Sequence, residues 1–365
     1  MKRRLEDIGN QSTLTPGALL ARLITLLMLL ALSNVASAAC GGDGQQRPLD
    51  QIGSDARLVL FKRDYANLDK LAADFRDKNA LASDGQPKLM GFYAGLSKSD
   101  TTCRGPEEPD GQWEWYRGLL SAWSKAVPDS FAAKLALAKF EAAYAWKARG
   151  GGYASTVTEA GWIQFRKRMS NARQMLEELA PMATNEPEWY ASMLNIAVAQ
   201  GWEAEKFDAL YQQAIKKFPY YLQLYFIKGS FYSAKWHGSK TEFKAFVEEA
   251  VKATESQWGQ TMYARLHWSE SDNFMFKNGK TDWRRMKLGF EKMLKDFPDN
   301  WNLNNFAKFA CMAGDWKTLG QQLDLIGNNA VIGAWGDTEY FIACKSFSDI
   351  RRKQVSKGDL QNARP

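Results

Sequence analysis

Apolar residues return every three or four positions through most of this chain, the rhythm of a helix that buries one face. In FDALYQQAIKKFP they fall at Phe207, Leu210, Tyr211, Ala214, Ile215 and Phe218. In FKAFVEEAVKA they fall at Phe243, Phe246, Val247, Ala250 and Val251, and in MKLGFEKMLKDFP at Met286, Phe290, Met293, Leu294 and Phe297. After Trp316 the stripe is Leu319, Leu323 and Ile326. Each stripe is wide enough to pack on a neighbour at either side. Upstream, Trp113, Tyr116, Leu120 and Trp123 mark one helix face, and Leu68, Ala72 and Phe75 another that begins near Tyr65. Short helices are expected over Asp50 to Leu60, and from the turn Ser83-Asp84-Gly85 to about Leu96. Ser97 to Gly111, with Gly105-Pro106 and Pro109-Asp110-Gly111, reads as loop.

The stops and starts have their own signature. Four times a proline opens a segment that a tryptophan closes 15 to 18 residues later: Pro128–Trp146, Pro187–Trp202, Pro219–Trp236 and Pro298–Trp316. A second stripe follows each of the last three. Ser239 to Glu242 ahead of Phe243, and Thr156 to Glu159 ahead of Trp162, read as capping boxes. Pro187, Pro219 and Pro298 suit the first turn of a helix, where no amide hydrogen is needed. No segment alternates with a period of two, so no sheet is expected. The fold class is all-α: a superhelix (solenoid) of antiparallel helix pairs, each too small to bury its own core.

In unit length, in the proline after each second helix and in the Ala-Gly-Asp-Trp turn at 313–316, the chain resembles the tetratricopeptide repeat over roughly residues 120–350. It departs from that family where Phe207, Phe243 and Met286 stand in place of small residues, which implies helices set further apart or crossed differently. The units are uneven too, since Phe218-Pro219 and Phe297-Pro298 lie 79 residues apart. The order WKARGGGY at 146–153, GWIQFRKRM at 161–169, EPEWY at 186–190 and QGW at 200–202, followed by Phe-Pro-Tyr-Tyr and the Trp236–Gly238 stretch, is similar to an uncharacterised bacterial family. That family is a domain of unknown function with tetratricopeptide-like helices, and the likeness implies no activity, cofactor or catalytic residue.

The N-terminus changes the picture of where the protein works. Lys2, Arg3, Arg4 and Arg22, the apolar run Leu23 to Leu32 and Ala36-Ser37-Ala38 make a secretory signal peptide, cut after Ala38. Cys40 offers a rival reading as a lipid-anchored residue, although Ser37-Ala38-Ala39 lacks the leucine of a usual lipobox. A periplasmic or secreted protein is expected, membrane-bound only if Cys40 carries lipid. The expected layout is a signal peptide over 1–38, a linker over 39–49, an N-terminal helical region over 50–127, a solenoid over 128–350 and a polar tail over 351–365.

Net charge of the whole chain is +7. Loss of residues 1–38 removes four basic and two acidic side chains, leaving +5. The excess is spread out: Lys216-Lys217 and Arg284-Arg285 sit between apolar helix positions, as on a solvated face, or on one that meets an anionic lipid headgroup or acidic protein. Nucleic acid is not expected for an exported chain. Four cysteines in an oxidising compartment permit three pairings, of which Cys311–Cys344 with Cys40–Cys103 is favoured by one-repeat spacing; buried free thiols at Cys311 and Cys344 are the alternative.

Chemistry is sparse. His237 and His267 are the two histidines, and neither has a ligand partner at metal spacing or a nucleophile elbow beside it. No catalytic residue, metal or cofactor is assigned. Arg149-Gly150-Gly151-Gly152 is the one glycine-rich loop of note, able to offer amides and a guanidinium to an anion or partner, or simply to turn between helices. Glu177-Glu178 and Glu248-Glu249 are adjacent on helices and so point apart. Trp189, Tyr190, Tyr220 and Tyr221 are candidate partner-contact aromatics, with core packing as their other role.

The expected function is that of a non-enzymatic exported helical-repeat protein, whose concave face, built from the first helices of successive units, binds a polypeptide or another envelope component. The alternatives are a glycan-acting envelope enzyme on a helical toroid, and a periplasmic immunity or inhibitor protein.

Overall fold

A computed structural model describes residues 47–97, 110–234, 236, 238–272, 275–276 and 281–362, with backbone alone for 110 and 352–362. The expected signal peptide, Cys40, Cys103, their expected pairing and His237 lie outside the described residues. Among the described residues every regular element is helical, apart from one isolated bridge between Leu81 and Pro87.

Three helices come first: α1 (Pro48–Phe61), α2 (Tyr65–Phe75) and α3 (Lys88–Leu96). After α4 (Asp110–Ala126) the chain runs through successive pairs: α5 (Phe131–Arg149) with α6 (Glu159–Leu179), α7 (Pro187–Gln200) with α8 (Ala204–Lys217), and α9 (Leu222–Phe231) with α10 (Lys240–Ala253). The series continues with α11 (Gln260–Ser269) and α12 (Trp283–Asp296), then α13 (Asn300–Ala313) and α14 (Trp316–Ile326). The short α15 (Ile332–Trp335) and the long α16 (Thr338–Asn362) end it. The last helix runs straight through position 351, so the expected polar tail begins inside a helix.

The stripes explain the second helices of these pairs. Phe207, Tyr211 and Ala214 of α8, Phe246, Val247, Ala250 and Val251 of α10, and Met286, Phe290 and Met293 of α12 are all buried. First helices bury more of their circumference, because they touch their own partner and also the first helices before and after. Thus α5 packs on α7, α7 on α9 and α9 on α11, and Trp268 of α11 meets Phe309 of α13 at 6.0 Å between ring centroids. The four Pro-to-Trp segments hold α5, α7, α9 and α13. The fifth first helix, α11, has no opening proline, and two pairs rather than one therefore fill the 79 residues between Pro219 and Pro298.

Several local expectations are corrected. Pro187 does sit at the first position of α7, but Pro219 and Pro298 precede the cap residues Tyr221 and Asp299. Their work is to end α8 and α12: Phe218 and Phe297 leave the helix at φ −128° and −138°, as a residue before proline must. Thr158, not Thr156, caps α6 by accepting from the Gly161 amide, because Thr156 belongs to a 3₁₀ turn and donates to the Tyr153 carbonyl. The bulky residues of the second helices do not hold the pairs uniformly apart. Phe207 lies flat on Phe231 at 3.9 Å, while at Gly289 α12 comes so near α11 that a Cβ would stand 2.2 Å from the Gln260 carbonyl.

The N-terminal helices are not a separate body. Helices α1 and α3 cross at Gly53, Gly91 and Gly95, where a Cβ on Gly95 would lie 2.2 Å from the Gly53 Cα. Helix α2 packs on α5, and α3 packs on α5 and α7, which lays this segment against the row of first helices. The turn between α2 and α3 reaches further along the row. Ser83 Oγ donates to Asp299 Oδ2 at 2.6 Å, and the Asp84 carbonyl accepts from Arg265 Nη2 at 2.6 Å and Asn302 Nδ2 at 3.2 Å.

Two apolar clusters result, divided by α13. Phe306 and Phe309 belong to the large one, and Ala307 and Ala310 to a small one with Leu319, Ile326, Val331, Ala334, Trp335 and Cys344. A disulfide joins Cys311 of α13 to Cys344 of α16 with 5.9 Å between Cα atoms.

Candidate functional site

The row of first helices carries buried charge where its sequence reads mostly apolar. Glu186 stands at the N-cap position of α7, without a side-chain capping bond, and Glu188 follows in its first turn; both are about 2% exposed, and both sit at the end of the helix that favours negative charge. Arg76 of α2 donates to Glu186 Oε2 at 3.0 Å. Glu188 accepts from Lys139 of α5 and from the hydroxyl of Tyr221, the cap residue of α9. Ser130, which caps α5, donates to Asp69 of α2. Tyr93 of α3 is fully buried among these groups, and its hydroxyl has no hydrogen-bond partner among the described residues.

Burial governs how these groups titrate. It pushes Glu186 up to about 7, with the Arg76 guanidinium pulling the other way and the Glu188 charge adding to the rise. Burial, and then the Glu186 charge, also pushes the Tyr93 phenol well above its ordinary range. The cluster binds α2 and α3 to α5, α7 and α9. At its edge a cleft of about 370 Å³ opens between the first helices, lined by Trp146, Ser192, Ile196, Ile227 and Trp236 with Lys139 at its charged end. Trp236 is 43% exposed and meets Trp146 edge to face at 5.9 Å.

Two further grooves exist. One of about 760 Å³ lies between α6 and the turn joining α7 to α8, with Trp162, Arg166, Arg173, Gln200, Trp202 and Lys206 on its walls. The other, of about 480 Å³, is lined by Glu114, Arg117, Glu141 and Glu178. Its carboxylates are already engaged: Arg117 pairs with Glu114 and with Glu141, the latter at 3.5 Å, and Arg168 pairs with both at 3.4 Å. Glu178 accepts from Gln174 at 3.0 Å.

The residues singled out from sequence do not converge. Trp189, Tyr190 and Tyr221 are buried, which fits core packing, one of the two roles expected of them, and not partner contact. Trp189 donates to the Leu176 carbonyl at 2.7 Å, the Tyr190 hydroxyl accepts from Lys217 at 3.1 Å, and Tyr221 serves Glu188. An extended face on each first helix forces its aromatics inward. Tyr220 alone of the four keeps 38% of its surface. Arg149 folds back on its own loop, donating to the Gly150 and Gly152 carbonyls at 3.1 and 3.0 Å, with its guanidinium 5.5 Å from the Trp146 ring and 5.2 Å from that of Trp162. Gly150 takes φ 79° to end α5, and Gly151 has open space around it. The loop is thus closed by its own arginine.

His267 is buried beside the rings of Phe243 and Tyr263, 2.9 Å from Thr281 Oγ1. Burial, helped by the nearby Arg285 charge and opposed by Glu248, pushes it down to about 4. No cluster of three metal-ligating side chains occurs among the described residues, and no helix there is long and apolar enough to cross a membrane. The buried or half-buried polar residues that sequence reasoning passed over are Arg76, Lys139, Glu186, Glu188, Asp84, Arg265 and Asn302. Arg265 carried a signal as a lone cation in TMYARLHW, whereas Arg76 in DFRDK, Asp84 in SDGQ and Asn302 in NWNLNN stand among polar neighbours and carried none.

No family model, no curated protein and no solved structure matches this chain.

Proposed function

We propose that this chain is a non-enzymatic, exported, tetratricopeptide-like solenoid that binds a polypeptide through the face formed by its first helices. One observation carries the reading: that face already holds polypeptide. The segment from α2 to α3 lies along it, gripped by side chains of α5, α7, α11 and α13 that reach both carboxylates and main-chain carbonyls. The stretch it leaves uncovered, between α5, α7 and α9, is the cleft with Trp146 and Trp236, of a size and apolar character suited to an aromatic or aliphatic side chain of a partner. The resemblance to the tetratricopeptide repeat supports the same use of the face.

The reading as a glycan hydrolase draws on the groove with Glu114, Glu141 and Glu178. Guanidinium groups already hold two of these carboxylates, an arrangement that favours a structural network over a pair of catalytic acids. The test is a photo-crosslinking residue placed at the exposed Asn195 on the cleft rim, with the same residue at exposed Lys252 as control. Discrete protein adducts from an envelope extract at Asn195 and none at Lys252 are expected. Equal labelling at both positions, or cleavage of glycan by the purified chain, overturns the proposal.

A further inference from the structure

We infer that the groove between α6 and the α7–α8 turn is a second binding site, and that its ligand is an acidic saccharide. Each side of the groove supplies one indole: Trp162 from the first turn of α6, and Trp202 from the turn after α7. Trp202 is set there by Gly201, whose φ of 64° ends α7 and allows the Trp202 amide to bond the Ala197 carbonyl at 3.0 Å. Phe165 and Met169 are buried and form an apolar floor.

The charged groups of the groove are unequal in sign. Arg166, Arg173 and Lys206 line it with one lining carboxylate, Glu203, while Glu159 and Glu177 pair with Arg166 and Arg173 from outside the lining. Lys206 is thus the lining cation with no carboxylate ion pair among the described residues. All three are also held in place. Lys206 Nζ stands 3.9 Å from the Trp202 ring centre and the Arg173 guanidinium 5.0 Å from it. Arg173 is further fixed by Glu177 at 2.7 Å and by the Gln200 side-chain oxygen at 3.4 Å, and Trp202 Nε1 donates to that same oxygen at 3.2 Å. Arg166 is tied to Glu159 at 3.2 Å. Cations restrained in this way lose little freedom when a carboxylate arrives. The Gln200 side-chain amide and the parts of the two half-buried indoles that neighbouring cations leave open match hydroxyl groups and the C–H faces of a sugar ring.

The test is a titration of the full chain with a tetramer of glucuronic acid, followed by tryptophan fluorescence and calorimetry. Saturable binding is expected, weakened about tenfold by Arg173→Gln or by Lys206→Gln, since each removes one charge-assisted hydrogen bond. Arg284→Gln, an exposed cation on α12, leaves binding unchanged. Lys206 is exposed, so its variant keeps the test decisive even where changes at Arg173 disturb folding. Equal binding of a neutral glucose tetramer overturns the role of the cations. Equal binding of a glutamate oligopeptide overturns the saccharide assignment, and no binding at millimolar ligand overturns the site.

Discussion

The two ends of the helical array solve the same problem by different means. At the N-terminal end, α1 to α3 are held to helices more than one hundred residues away in sequence by polar groups: the half-buried Arg76 with buried Glu186, and the buried Asp84 carbonyl with Arg265 and Asn302. At the C-terminal end, α14 to α16 rest on a small cluster of mainly apolar residues closed by the Cys311–Cys344 bond. A large interface can tolerate the desolvation of charges and use their directionality to fix register, whereas a small apolar cluster gains from a covalent tie. The contrast makes the N-terminal contact sensitive to loss of one partner, and the C-terminal contact sensitive to redox conditions.

The largest effect is expected at the buried glutamate. Glu188→Ala strands the Lys139 ammonium and the Tyr221 hydroxyl, and a loss of about 3 to 5 kcal/mol follows for a broken buried pair. Urea unfolding measures it; a loss under about 1 kcal/mol would mean that the buried pair does not tie α7 to α5 and α9, the row on which the N-terminal helices rest. Next comes the disulfide. Its separation of 33 residues corresponds to about 3 to 4 kcal/mol of loop-closure stabilisation in the chain-entropy account. In Cys344→Ala the amides of α14 and α15 should exchange with solvent well before those of α7 and α11. Simultaneous loss of protection throughout would erase the distinction between the two ends.

The smallest effect lies in pH. Glu186 rises from 4.5 to about 7, so the folded chain keeps a proton that the unfolded chain has released; stability from this group is full below about 4.5 and is lost as pH rises through about 7. His267 falls from 6.5 to about 4, so its contribution is full above about 6.5 and is lost as pH drops through about 4. Each amounts to at most about 3 kcal/mol, and the two slopes oppose. Glu186→Gln should therefore leave stability that climbs from pH 4 to 6.5, and His267→Asn stability that declines from pH 4.5 to 7. Identical profiles for both variants would show that neither group governs its region.

Much of the scaffold was legible in residue order. The stripes at Phe207–Phe218, Phe243–Val251 and Met286–Phe297 lie on α8, α10 and α12, and the Phe-Pro pairs mark the ends of two of them. The first helices were harder to interpret, because being packed on several sides erases periodicity: α7 buries nearly its whole circumference, and only there is it decided that Trp189 and Tyr190 belong to the core rather than to a contact surface, two roles their sequence left open. The grooves were less legible still. Trp162 and Trp202 are 40 residues apart and meet at one groove only because α6 packs on α7.

Local order thus determined that the chain would be helical, roughly where each helix stops, and which faces seek cover, since backbone propensity, capping and the period of a helix act over a few residues. Folding decided that the N-terminal helices lie along the row of first helices, that lone charges such as Glu186 and Arg265 are buried there, and that tryptophans from different turns share a groove. Those outcomes depend on desolvation and on contacts between distant segments, which no stretch of a dozen residues can specify.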